Sequence, residues 1–219
     1  MIYISNSTVF STNADLKVNI VSKDGKILNY SNYDFLVRYP YLKDLRKSYN
    51  VGESYFYPDD KVLVVCVKTD IKYKTQQEWL ENILLNFKFN YKSYNIKSAA
   101  FPILDFERVE ESINLVKKYL SDLPIDIYIC KLEEMDNKER LMVKDFKSTR
   151  VDSYKKIIGL NDKQTEYLEK KKWMIERFKD ILDIPSIGEA KYLKINEYFY
   201  NYTGELTYNL FNMDFDESD

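Results

Sequence analysis

The residues of this chain that could do chemistry are few, and the absences narrow the field first. There is no histidine among the 219 residues, which excludes imidazole general-base catalysis and His-ligated metal sites. Two cysteines, Cys66 and Cys130, sit in or close the apolar runs KVLVVCV and IDIYIC without CxxC spacing. They read as buried small hydrophobes in reduced strands, not as metal or redox groups. The adjacent carboxylates Asp59-Asp60 and Glu133-Glu134 point in different directions on any regular element, so they read as solvated charges and not as an acid–base pair. No HExxH, GxxxxGK or GxSxG pattern occurs. What remains is lysine, single carboxylates and tyrosine. The stretch TNADLKVNIVSKDGKILNY (12–30) opens as a ligand-binding loop does, then lacks the small residues such a loop uses. Lys170-Lys171-Lys172-Trp173 could meet a nucleic acid, but Glu166, Glu169 and Glu176 are interspersed, which makes it the solvated face of an amphipathic helix. Tyr192, Tyr198, Tyr200, Tyr202 and Tyr208 offer large contact area with polar tips.

Strands and helices must position these groups. Short apolar or β-branched runs predict strands at Met1–Ile4, Leu16–Val21, Lys61–Val67, Ser98–Pro102 and Ile125–Cys130. Helical spacing runs through Tyr33, Leu36, Val37, Tyr41 and Leu45 around Pro40, through Gln76–Phe89, and through Val109–Leu120. Alternating β and α elements with continuously apolar strands imply a mixed, largely parallel sheet covered on both faces. The character changes after Cys130. Residues 131–150 read as a charged linker or peripheral helix. Asn161 or Asp162 caps a helix predicted to reach Leu182, before Pro185. Lys191–Tyr200 and Glu205–Phe211 read as a β-hairpin around Asn201-Tyr202-Thr203-Gly204. Strand alternation would put Tyr198, Tyr200 and Tyr202 on one face, docked on the sheet or exposed to a partner.

Lys and Arg number 33 against 35 Asp and Glu, a formal charge of -2, so no global field favours nucleic acid or an anionic membrane. No apolar run approaches ~18 residues and MIYISNSTVF lacks a signal-peptide pattern, which gives the expectation of a cytoplasmic protein. Five Gly and five Pro beside abundant Asn, Lys, Ile and 20 Tyr match A/T-rich codons, as in a bacteriophage or low-GC bacterium; for a phage protein the location would be the host cytoplasm.

Residues 1–130 resemble a macrodomain, the ADP-ribose-binding fold, closest to the DNA ADP-ribosyl glycohydrolase antitoxin branch and its phage relatives. The resemblance is carried by STVFSTNADLKVNIV (7–21), FLVRYPYLKDLRKSYNVGESYFY (35–57), KTDIKYKTQQEWLENILLNF (68–87), YKSYNIKSAAFPILDF (91–106) and YLSDLPIDIYIC (119–130). It implies a three-layer α/β/α fold with a mixed sheet over 1–130, followed by an extension over 131–219 containing the long helix and the Tyr-rich hairpin. It also implies ligand contacts from Thr8, Asn19, Ser22, Gly25 and Asn29, where backbone amides of two loops would cradle a diphosphate. Thr8 stands where the family places an adenine-binding aspartate, Ser22 where it places a second asparagine, and Asn29 where this branch keeps its active-site lysine. Lys26 is then the nearest amine. The glycine-rich second loop is replaced by Phe101-Pro102-Ile103-Leu104-Asp105-Phe106 without glycine, and Asp105 is either the family's retained acid or a helix cap.

The expectation is therefore a catalytically degenerate macrodomain acting as a protein-interaction module in host takeover or anti-defence, with Trp173, Tyr198, Tyr200 and Tyr202 facing a protein partner such as a host protein. The alternative is a non-catalytic binder of ADP-ribose or an NAD-type nucleotide. The third reading is an active ADP-ribosyl hydrolase using Lys26 or Asp105. No cofactor, metal or membrane is expected, and nucleic acid is disfavoured.

Overall fold

The computed structural model describes residues 1–25, 28, 31–45, 48–70 and 72–213, with side chains for all of these except 31, 32 and 203–213. The chain forms two compact units, Met1–Glu134 and Met135–Asp219.

The first unit is built on a six-stranded sheet. Its strands are β1 (Ile2–Ser5), β2 (Leu16–Ser22), β3 (Ser54–Tyr57), β4 (Val62–Lys68), β5 (Ser98–Pro102) and β6 (Asp126–Cys130). They lie in the order β1-β6-β5-β2-β4-β3. All neighbours pair in parallel except β3, which runs antiparallel to β4. The central strands are apolar because both faces are covered: β4 is buried at every position. β3, SYFY, is half-buried throughout, so it carries no clean alternation and the strand reading passed over it.

Helices α1 (Ser31–Arg38) and α2 (Leu42–Leu45) break at Pro40, whose missing N–H and fixed φ end the first. Helix α3 (Gln77–Asn90) buries Leu80, Ile83, Leu84 and Phe87, and α4 (Val109–Leu120) buries Ile113, Val116 and Leu120. Both stripes join one core with Leu16, Val18 and Ile20 of β2 and Leu63, Val65 and Val67 of β4. Each such aliphatic side chain contributes about 1.5–3 kcal/mol through burial.

The second unit is helical: α5 (Asn137–Ser148), α6 (Val151–Ile158), α7 (Asp162–Lys171) and α8 (Glu189–Met213), with short 3-10 turns at Lys172–Met174 and Phe178–Asp183. Two expectations are corrected here. The segment read as a β-hairpin is the single helix α8. Tyr192, Ile195 and Phe199 are buried at helical spacing, a period that outweighs the every-second-residue tyrosines, and one glycine in a long helical pattern does not stop it. The helix expected to reach Leu182 ends at Lys171. There the Lys172 ammonium turns inward to Glu169 at 2.9 Å and to the Thr149 carbonyl at 3.2 Å, and Asp180 Oδ2 accepts the Glu176 and Arg177 N–H groups to start a new turn. The charged stretch after Cys130 holds a true helix, α5, capped by the Asp136 carboxylate and burying Met142, Val143 and Phe146.

Candidate functional site

Parallel strands bring the carboxyl ends of β2, β4 and β5 to one edge of the sheet, where loops rather than ladders complete the backbone. A cleft of about 180 Å³ opens there, lined by Ile20, Leu28, Val67, Lys68, Thr75, Leu104, Asp105, Phe106 and Glu107. A bulge in the β2–β4 pairing shapes it. The register passes from Val21 opposite Cys66 to Ser22 opposite Lys68, leaving Val67 as the extra residue. Regular alternation would send Val67 and Lys68 to opposite faces; the bulge lets both line one cleft.

Lys68 is 9% exposed. Among the described residues its ammonium meets a single carboxylate, Glu107 Oε1, at 3.6 Å, although a lysine carries three donors. The contrast with Lys17 is instructive. Lys17 Nζ donates to the Ala14 carbonyl at 2.6 Å, the Thr12 carbonyl at 2.9 Å and Thr12 Oγ1 at 3.2 Å, while burial draws its pKa below the usual lysine value. Lys17 is a structural tie; Lys68 keeps donors to spare. Thr75 is 3% exposed, and its Oγ1 has no hydrogen-bond partner among the described residues. Its carbonyl accepts from Arg108 Nη2 at 2.7 Å.

Asp105 is buried and doubly held. Its Oδ1 accepts the Glu107 N–H at 3.0 Å and its Oδ2 accepts Arg108 Nε at 2.9 Å. It makes a local turn ahead of α4 and does not cap it: the N-cap residue is Arg108, which forms no side-chain cap bond.

Several backbone amides on the two loops are engaged within the protein. After β2, the Lys23 N–H donates to the Lys68 carbonyl, Asp24 to Thr69 and Gly25 to Ser22. After β5, Ile103 donates to the Cys130 carbonyl, Leu104 to Ser112 Oγ, Glu107 to Asp105 Oδ1 and Arg108 to the Asp105 carbonyl. An amide already bonded does not point at a phosphate.

Comparison with solved structures identifies the architecture. The chain is similar to the macrodomain of Thermus aquaticus DarG, at 14% identity over 60% of this chain and 98% of that one, with a TM-score of 0.54. It is also similar to Thermosipho africanus DarTG in complex with ADP-ribose, at 19% identity over 61% of this chain and 42% of that one, with a TM-score of 0.52. The fold is a macrodomain. At these identities the likeness establishes fold alone. No protein-family model matches the chain, and no curated protein matches it by sequence.

Within the macrodomain, the residues singled out from sequence are scattered. Asp105 lines the cleft. Asn19 is buried on β2 beside Ile20 in sequence, so alternation directs the two side chains to opposite faces. Thr8 and Ser22 are buried, with Thr8 Oγ1 and Ser11 Oγ 3.1 Å apart. Gly25 takes the left-handed φ of +75° that closes the turn on Ser22. Lys26 and Asn29 lie outside the described residues. Lys68, Thr75 and Arg108 were not singled out; the one sequence signal was a lysine directly continuing the apolar run of β4.

Among the described residues no three His, Cys, Asp or Glu side chains gather as a metal set, and no helix is long and apolar enough to cross a membrane. In the second unit, Trp173 is exposed beneath the Lys172 ammonium, 5.4 Å from its ring. Tyr198 and Tyr202, one helical turn apart, stack at 5.8 Å, whereas Tyr200 lies under the Lys138 ammonium at 4.6 Å. The three tyrosines therefore do not share the single face that a strand would have given them.

Proposed function

We propose that this macrodomain is an ADP-ribosyl hydrolase whose amine is Lys68 and whose acid is Asp105. The observation that carries the reading is the Lys68 ammonium, buried in the cleft at the carboxyl edge of the sheet with one carboxylate partner. The branch that the sequence resembles keeps an active-site lysine, and the function needs the amine at the right place in space, whichever segment supplies it. Once Glu107 accepts its proton, the Lys68 amine can add to the anomeric carbon of an ADP-ribosyl group as the glycosidic bond breaks and the leaving oxygen or nitrogen takes the proton from Glu107; water then displaces the amine, giving free ADP-ribose and the lysine. Asp105, which lines the cleft and is held by Arg108, would accept a hydrogen bond from a substrate hydroxyl.

The test is release of ADP-ribose from ADP-ribosylated DNA and ADP-ribosylated protein by the full chain. Lys68→Ala is expected to slow release more than ~100-fold and Asp105→Asn by a similar factor, while Lys26→Ala leaves it intact. Loss in Lys26→Ala with retention in Lys68→Ala would reverse the assignment.

A second reading, a catalytically silent protein-interaction module of phage origin acting in host takeover or anti-defence, is favoured by one observation: the amides of Lys23, Asp24, Gly25, Ile103 and Leu104, on the loops that would cradle a diphosphate, are bonded within the protein. Absence of turnover with every substrate, together with specific capture of a host protein, would select it. Tight ADP-ribose binding without turnover would select a nucleotide reader.

A further inference from the structure

The sheet of the first unit has two edges, and they are finished differently. β3 closes one edge: it is half-buried at every position, with Glu53 before it and Pro58-Asp59-Asp60 after it. Charges and proline beside an edge strand discourage further pairing. β1 closes the other edge with IYIS, which carries neither. Tyr3 is 38% exposed and Ile4 48%.

Among the described residues β1 pairs only with β6. The Met1 and Ser5 carbonyls accept the Ile127 and Lys131 N–H groups, each at 2.8 Å. Successive residues of a strand turn their backbone groups to opposite sides, so Met1, Tyr3 and Ser5 face β6 while the N–H and C=O of Ile2 and Ile4 face outward. Such a row of groups is a template for another extended strand.

The sequence of the edge selects the occupant. Ile2-Tyr3-Ile4 reads the same in both directions, so a two-fold axis through Tyr3 lays two copies antiparallel, Ile2 opposite the second copy's Ile4 and Tyr3 opposite its own counterpart. The residues whose backbone groups face outward then fall opposite each other, as a hydrogen-bonded antiparallel pair requires. Tyr3 takes the closer, non-hydrogen-bonded position. It already stacks on Tyr128 of β6, with centroids 5.1 Å apart and planes at 21°. The axis continues that row of rings across the edge, and cross-strand aromatic pairs stabilise a sheet. No side chain of Ile2–Ser5 is charged, so none opposes its own copy.

We infer that β1 is a self-association edge: a second copy of this chain docks on it antiparallel, with Tyr3 on the two-fold axis. Pairing of so short a strand buries less than the roughly 1,200 Å² of a stable complex, so the dimer is weak and concentration-dependent.

The experiment is sedimentation equilibrium of the full chain over a concentration series, with backbone hydrogen exchange followed by NMR at both ends of the series. The mass is expected to rise from 26.2 kDa toward twice that value, and exchange at Ile2 and Ile4 to slow with concentration more than exchange at Tyr3. Tyr3→Lys and Tyr3→Glu should each stay monomeric, because like charges meet on the axis, and an equimolar mixture of the two should dimerise again. Thermal unfolding checks that both variants fold. A wild-type protein that stays at 26.2 kDa at its highest soluble concentration overturns the inference, even where a foreign strand binds the edge. So does undiminished association in both single variants, or a mixture that associates no better than either alone. The exchange pattern of the wild-type protein needs no variant, and it decides the matter if a charge at position 3 unfolds the chain: slowing that spares Ile2 and Ile4 places the contact elsewhere and overturns the inference as well.

Discussion

Arg108 reaches Asp105 through Nε and Thr75 through Nη2, so one planar fork ties the loop before α3 to the loop before α4. A lysine ammonium is a point donor on a flexible stem and cannot span both acceptors in that geometry. Arg108→Lys is expected to lower the unfolding free energy by about 1–2 kcal/mol, since Asp105 stays buried with fewer partners; urea denaturation monitored by circular dichroism measures it. An unchanged midpoint would mean that the fork does not hold the cleft together. The two thiols make a separate case. Burial pushes Cys66 up to about 11 and Cys130 up to about 12, from an ordinary value of 9.0. Since the thiolate is the reactive form, neither should react with iodoacetamide at pH 8 in the native protein, and both should react in urea. A raised pKa favours the protonated thiol in the folded state. The stability this provides is complete below about pH 9 and drains away as pH rises through 11 and 12, at up to about 1.4 kcal/mol per pH unit for each thiol. Chemical-denaturation midpoints taken from pH 8 to 11 should fall above pH 9; flat midpoints would contradict the burial of both sulfurs.

Elements were legible where burial imposes a simple period. β2, β4 and β5 are covered on both faces, so they had to read as apolar runs, and α3 and α4 had to carry one apolar stripe each. The site was less legible because it depends on a departure from period: the Val67 bulge moves Lys68 into the cleft, whereas the family resemblance puts the amine at the position of Asn29. Asp105 was found because it stands in a local motif, but its tie to Arg108 and Thr75 joins residues far apart in sequence. The α8 error came from tyrosine, which suits strands by propensity and helices by packing. Where local chemistry does dictate structure, it can be tested at the same scale. α6 ends on Gly159 in the left-handed conformation, and α7 begins with Asn161, whose side chain accepts the Gln164 N–H while Gln164 returns a bond to the Asn161 N–H. Asn161→Ala should cost about 1 kcal/mol, and Gly159→Ala about 1–2 kcal/mol because a Cβ is disfavoured at that φ. Both losses should appear in thermal melts, and the combined variant should lose less than the sum if the two caps act as one turn.

At the scale of the whole molecule, each compact unit owns a core. In Met1–Glu134 the apolar cluster runs from Leu16 to Ile129 without a member outside the unit. In Met135–Asp219, Phe146, Tyr154, Phe178 and Phe199 pack edge-to-face and tilted around one another, an arrangement that adds about 0.5–1.5 kcal/mol per ring pair beyond area burial. Every residue lining the cleft lies in the first unit. A fragment of residues 1–134 therefore contains the full sheet, helices α1 to α4 and all the groups assigned to chemistry. It should fold cooperatively by itself, give a dispersed amide spectrum, and match the full chain within about twofold in the rate of ADP-ribose release, in keeping with a domain that has its own core. A non-cooperative melt would mean that the first core is insufficient alone. A well-folded fragment with release slowed more than about tenfold would mean instead that residues after Glu134 are needed for the activity.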